Sequence, residues 1–258
     1  MTAIAHSSPK AINNLRMCTR LFSPAGIGQE HITMVYGAQC PANQMNISEI
    51  WRYPVKSMAG EKLETAHLSS SGIAGDRVVQ VTNARGHIVT ARTYPDLLGH
   101  RATLDAEGEP LIEGEPWTDP AVLARVRQIV GAGAKLVRGD SLDRFDVLPL
   151  LIATDGAIVA FGRDGRRLRP NIVIGGVDGL EERQWPGSRL QIGEVIIRVQ
   201  DLRGRCIMTT FDPDTLAHSP EVLRDIVKRF GGKLALNCDV VQGGVIRVGQ
   251  EVELLHAP

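Results

Sequence analysis

From Asn46 onward, apolar residues fall in short runs closed by Gly, Pro, Asn or Ser, the pattern of strands joined by tight turns. Ile47 to Tyr53 is the first such run and ends at Pro54; Lys62 to Leu68, Asp76 to Thr82 and His87 to Ala91 follow. His100 to Asp105 and Pro110 to Glu113 flank Glu107-Gly108 and read as a hairpin. Val147 to Ala153 is apolar on both alternations and is expected to be a central strand. Asn171 to Ile174 follows, then Arg189 to Ile192 and Glu194 to Val199 joined at Gly193-Glu194. Val240-Val241 and Val245 to Val248 should turn at Gly243-Gly244, and Val252 to Leu255 ends the pattern.

Helical spacing occurs in fewer places. Val122, Val126, Ile129 and Val130 predict a helix over 121–130 stopped by Gly131. Thr154-Asp155 stands as an N-cap before Ala157 to Phe161. Ser219-Pro220-Glu221 should start a helix that buries Leu223, Ile226, Val227 and Phe230. Many strands, few helices and no βαβ alternation predict a mainly β fold with a few helices, an antiparallel or mixed barrel.

Composition bounds the function classes. The 258 residues are 43% hydrophobic, enough for a substantial core. Lys+Arg and Asp+Glu both number 29, so net charge gives no argument for nucleic acid or a membrane surface. No apolar run approaches the roughly 20 residues needed to span a bilayer. Cys18, Cys40, Cys206 and Cys238 form no C-x-x-C pair, so neither a Cys-rich zinc site nor a cysteine-ligated iron–sulfur cluster is encoded. Cytoplasmic residence is the simplest expectation. Residues 1–45 read differently, rich in Ala, Ser, Asn and Gln with no acid before Glu30. They are expected to be a disordered tail or the product of a start codon upstream of Met45, or else a transit peptide addressing an organelle.

Chemistry concentrates at strand ends. Tyr53-Pro54-Val55-Lys56-Ser57 puts a lysine and a hydroxyl on a turn. Gly72-Ile73-Ala74-Gly75-Asp76-Arg77 and Thr90-Ala91-Arg92 each add an arginine. Arg163, Arg166, Arg167 and Arg169 form the densest basic cluster, suited to bidentate phosphate binding. No aromatic residue is interleaved there for base stacking, which disfavours nucleic acid. Arg203-Gly204-Arg205-Cys206 sets a thiol between positive charges, and a thiol is a nucleophile or soft-metal ligand as the thiolate that such charges favour. The ordinary reading of an unpaired cysteine is a half-buried strand residue. Thr209 and Thr210 supply hydroxyls, and Asp212 is either a general acid or the cap of its turn. A cysteine protease would need a histidine partner, and none of the histidines carries such a signature.

Taken in order, these clusters resemble the MOSC family, in particular the amidoxime reducing components of mitochondria and their bacterial relatives. Pro54-Val55-Lys56-Ser57, Gly75-Asp76-Arg77 and Thr90-Ala91-Arg92 are similar to its N-terminal β region. Arg169-Pro170-Asn171-Ile172-Val173-Ile174 and Arg205-Cys206-Ile207-Met208-Thr209-Thr210, with Asp212-Pro213-Asp214, are similar to the MOSC domain.

The resemblance implies a MOSC-type β-barrel over 121–258 packed with an N-terminal β-barrel-like region over 46–120. It implies a molybdenum–molybdopterin cofactor with Cys206 as the catalytic protein ligand of the metal. Lys56, Ser57, Arg77 and Arg92 would face the pterin. Asp155, Arg169 and Asn171 would lie near the phosphate, and Arg205, Thr209 and Thr210 beside the cysteine. It further implies reduction of small N-hydroxylated substrates. Electrons would come from a separate ferredoxin-, flavin- or cytochrome-type donor, since no iron–sulfur cluster is expected in the chain. Pyridoxal phosphate is not expected either. The alternative is a non-catalytic cofactor or sulfur carrier with a persulfide on Cys206.

Overall fold

Sixteen strands and three α-helices form among residues 44–139 and 144–256, which a computed structural model describes. The expectations for residues 1–45 lie outside the described residues except at Gln44 and Met45.

The chain opens with β1 (Asn46–Arg52), β2 (Glu61–Leu63), β3 (Thr65–Ser69), β4 (Gly72–Ile73) and β5 (Val79–Thr82). Next come β6 (Ala102–Leu104), β7 (Pro110–Ile112), β8 (Glu115–Pro116), α1 (Pro120–Val130) and β9 (Lys135–Arg138). The second half holds β10 (Leu150–Thr154), α2 (Asp155–Phe161), β11 (Ile172–Gly175), β12 (Arg189–Ile192) and β13 (Val195–Gly204). It ends with α3 (Glu221–Phe230), β14 (Lys233–Gln242), β15 (Gly244–Arg247) and β16 (Glu253–Leu255).

Eight strands make one sheet in the order β16-β12-β13-β14-β10-β11-β1-β2. All its pairs are antiparallel except β10 with β11. The approach to β16 bonds back onto β1, through Ile47 N to Gln250 O (2.9 Å), Gly249 N to Ile47 O (2.7 Å) and Val252 N to Met45 O (2.9 Å). The sheet therefore curls into a barrel, a mixed one as the patterning anticipates. Ile47, Ile50, Leu150, Ile152, Ile172, Ile174, Val199 and Leu236 fill it.

A second core gathers Val55, Met58, Val79, Val81, Leu97 and Ile112 with Val122 and Val126 of α1. The expected division at residue 120 is thus crossed both ways: β1 and β2 complete the large sheet, while α1 fills the core of the preceding strands. A third cluster joins α2 to α3 through Ala157, Phe161, Val222, Ile226 and Phe230.

Helix ends follow their capping chemistry. The Asp119 carboxylate accepts from Ala121 N and Pro120 opens α1; Thr154 Oγ1 accepts from Ala157 N at 3.1 Å and left-handed Gly162 ends α2.

Several expectations need correction. His87 to Ala91 is not a strand; only Ile88 bridges Thr82, because the segment has no continuous partner. Lys62 to Leu68 breaks at Glu64, sending β2 and β3 to different sheets. The Gly243-Gly244 hairpin does not form, since β14 pairs with β13 and β10 while β15 pairs with β3. On α3 the buried face is Val222, Ile226 and Phe230; Val227 is exposed, one position round the helix from the stripe expected. Ser219 makes no side-chain cap there. The strand β9 carries no clear alternation and is held as the partner of β5.

Candidate functional site

Cys206 leaves β13 and opens the 3-10 turn Ile207–Thr210, half-buried, with its extended backbone at φ −134°. Arg205 N donates to Gly232 O at 2.9 Å, which fixes the strand end against the turn after α3. The turn is locked internally: Thr209 Oγ1 donates to Cys206 O (2.9 Å) and Thr210 Oγ1 to Ile207 O (2.6 Å). Both threonines are buried, and their oxygens keep lone pairs for a further donor.

Around this cysteine the chain converges its cations. Arg92 lies near the Cys206 side chain and pairs with Asp146 at 2.8 Å. Asp146 also receives Lys56 at 3.0 Å and Arg203 at 3.4 Å. Burial alone would raise the Asp146 carboxyl, but Lys56, Arg92 and Arg203 together hold it below the usual carboxylate range, so it is an anion.

Arg77 pairs with the wholly buried Asp76, which also accepts Tyr53 N at 2.7 Å. Arg169 lies over the Tyr53 ring and donates to Met58 O at 2.8 Å. Lys56, Arg77, Arg92, Arg169, Arg203 and Arg205 thus form a linked field, with Asp76 and Asp146 as the carboxylates within it. In a chain of zero formal charge, this is a concentrated positive patch.

Arg205 is the sharpest feature. Its Nη2 donates to Leu168 O at 2.8 Å, yet its buried Nε and Nη1 have no partner. Burial, and then the neighbouring Arg203, pushes its pKa down to about 10, still far above neutral. Two buried N–H donors left unmet cost about 1–3 kcal/mol each unless an acceptor arrives.

Backbone geometry adds a second signal. Six described non-glycine residues have positive φ, and three of them are Ser57 (70°), Arg77 (53°) and Arg169 (55°). Such conformations cost of order 1–3 kcal/mol each and cluster at binding sites.

Not every expected residue shares this patch's chemistry. Asn171 spends its amide on the backbone, accepting from Leu151 N at 3.1 Å and donating to Trp51 O at 3.4 Å. Asp155 accepts from the amides of Gly156, Gly176 and Val177 at 2.8, 2.8 and 3.0 Å, holding the loop after β11. The arginine-rich segment divides. Arg166 is bound by Asp164 and Asp214, and Arg167 by Asp212 at 2.8 Å, so these two staple the loop to the turn following Cys206. Asp212 also accepts from the amides of Thr215 and Asp214, which hold its carboxyl below the usual range. It is a turn cap and an ion-pair partner.

Sequence reading overlooks Asp146 and gives no role to Arg203 beyond its neighbourhood. Arg203 has a signal, its adjacency to Cys206. Asp146 has none, because its partners lie 54 to 90 residues away along the chain. Among the described residues, no group of three or more His, Cys, Asp or Glu side chains is placed to hold a metal ion.

A family model described as the MOSC N-terminal beta barrel domain matches residues 44–130, and one described as the MOSC domain matches residues 161–253. Mitochondrial amidoxime reducing component 2 of Macaca fascicularis is 29% identical over 66% of this chain and 67% of its own length. Mitochondrial amidoxime-reducing component 1 of Homo sapiens is 26% identical over the same shares. Among solved structures, the YUAD protein from Bacillus subtilis aligns with a TM-score of 0.45 and 13% identity, covering 83% of this chain and 97% of that one.

Proposed function

This chain belongs to the MOSC family, and from that premise we propose that it is a molybdopterin-dependent oxidoreductase with Cys206 as the protein ligand of molybdenum. The observation that carries the reading is Arg205, a half-buried arginine whose buried Nε and Nη1 lack an acceptor one residue before the cysteine. An anionic cofactor supplies that acceptor. The donor set around it suits a phosphate and a heterocycle rich in hydrogen-bonding groups: Arg169 and Arg205 on one side, Lys56, Ser57, Arg77 and Arg92 on the other. When bound, the molybdenum centre supplies two-electron oxygen-atom chemistry.

The chain's own residues have supporting tasks in this reading. Thr209 and Thr210 lock the Cys206 turn by donating to Cys206 O and Ile207 O. Asp155 and Asn171 shape backbone on either side of β11. Arg92 and Arg203 hold positive charge where negative charge develops on the substrate oxygen. The relatives' name points to amidoximes, and we extend it to small N-hydroxylated compounds. The N–O bond breaks, two electrons and two protons are consumed, and an amidine and water leave. Electrons come from a separate donor protein. Among the described residues no helix is long and apolar enough to cross a membrane.

The test is turnover. Protein from a molybdopterin-competent host, supplied anaerobically with reduced viologen dye, should reoxidise it only when an amidoxime is added, and release the amidine. Molybdenum-loaded protein that leaves amidoxime, hydroxylamine and hydroxylated base untouched would refute the activity. Sulfane sulfur on Cys206 in metal-free protein would favour a carrier.

A further inference from the structure

Three cations come to one carboxylate from three separate segments. Lys56 follows β1, Arg92 lies in the loop after β5, and Arg203 is near the end of β13. Asp146 takes Lys56 on Oδ1 at 3.0 Å, and Arg92 and Arg203 on Oδ2 at 2.8 and 3.4 Å. Each of the outer two is held a second time. Lys56 Nζ donates to Arg144 O at 2.8 Å, and Arg203 Nη1 donates to Asn237 Oδ1 at 3.3 Å. Asn237 is oriented in turn by donating to Asp201 at 2.7 Å. Arg92 and Arg203 are the members that lie near Cys206.

We infer that Asp146 is a positioning residue, a clamp that fixes Lys56, Arg92 and Arg203 as a preformed set of donors for the anion bound beside Cys206. An acid in an anion site looks counterproductive, since it removes one charge from the field. The physical gain is preorganisation. Without it, like charges repel and the long side chains spread into solvent, so each must be ordered again when the ligand binds. With it, the field stays positive, because among the described residues the six cations outnumber Asp76 and Asp146, with which four of them pair, and the geometry is set in advance. The Asp146 side chain is 30% exposed and belongs to no apolar core, so neutral replacement does not open a cavity. The identity of the anion rests on the molybdopterin reading; the clamp itself does not.

The experiment uses Asp146→Asn and Asp146→Glu in the full chain, made in molybdopterin-deficient and molybdopterin-competent hosts. For cofactor-free protein, the thermal midpoint is read at low salt with and without millimolar inorganic phosphate. The Asn variant should start lower than wild type and gain less from phosphate, because its donors must be ordered again when the anion binds. The Glu variant should return most of the way to wild type. For loaded protein, the Asn variant should lose molybdopterin about tenfold faster on gel filtration. A phosphate response in the Asn variant equal to or larger than that of wild type, or a Glu variant as altered as Asn, overturns the clamp. Should the Asn variant not accumulate, the Glu variant decides alone: a wild-type phosphate response supports the clamp and a weakened one overturns it. Failure of the molybdopterin reading would show separately, as wild-type protein without cofactor whose phosphate response still depends on Asp146.

Discussion

The guanidinium of Arg169 lies 4.2 Å from the centre of the Tyr53 ring, with the ring's hydroxyl turned to donate to Pro170 O at 3.1 Å. One buried aromatic thus holds both the left-handed Arg169 and the proline that leads into β11. Burial raises the Tyr53 phenol to about 12, so it stays protonated and remains a donor at all working pH. Tyr53→Phe should cost about 1 kcal/mol in urea unfolding through the lost hydrogen bond. Tyr53→Leu should cost about 1–2 kcal/mol more by removing the cation–π contact, and should weaken phosphate binding. Equal stability of the Phe and Leu variants would contradict the stacking role.

Asn171 ties β1 to β10 across the entry to β11. Its side chain serves Leu151 N and Trp51 O, and its main chain bonds Leu151 O at 2.7 Å and Trp51 N at 2.8 Å. Asn171→Ala leaves the Leu151 amide without its acceptor, a loss of about 1–3 kcal/mol. Chemical denaturation should show that drop in cofactor-free protein. An unchanged midpoint would mean that the residue matters only to a ligand.

Gly156 is needed for close approach. A Cβ there would sit 2.3 Å from Val177 O and 2.5 Å from Gly179 O, both backbone atoms that cannot swing away. Gly156→Ala should therefore push the loop from the start of α2 and cost about 1–3 kcal/mol. Amide exchange should speed up at Gly176 and Val177, whose N–H groups Asp155 binds.

Glu182 is a buried carboxyl whose pKa is raised, chiefly by burial, against the lowering effect of its backbone hydrogen bond and Thr154. Its folded pKa exceeds its unfolded one, so its contribution is intact below the ordinary glutamate pKa of about 4.3 and is lost as pH rises through the folded value. Glu182→Gln should raise Tm at neutral pH, with the gain shrinking to nothing near about pH 4. A gain of the same size at both pH values would exclude titration of Glu182 as its source.

What the sequence discloses and what it hides divide along a physical line. Local signals were readable: the caps at Thr154 and Gly131, the two-sided apolar run of β10, and the strand-end basic residues that converge near Cys206. Long-range pairing was not. Nothing local in Glu64 says that β2 and β3 part company, and nothing near Gly243 says that β15 leaves β14 for β3. The arginines of residues 163–169 look alike in sequence, yet Arg166 and Arg167 meet aspartates while Arg169 meets an aromatic ring. Charge counts cannot separate them, because the difference lies in partners more than 40 residues distant. Asp146 was invisible for the same reason.

Metal analysis bears most directly on the role of Cys206. Protein from a molybdopterin-competent host should carry about one molybdenum and one molybdopterin per chain, since a single thiolate gives one ligand site. Cys206→Ser should lose most of the metal while keeping the Tm of cofactor-free wild type, because the half-buried side chain supports no core. Molybdenum-free wild type from that host, or a Cys206→Ser protein as fully loaded as wild type, would contradict the assignment.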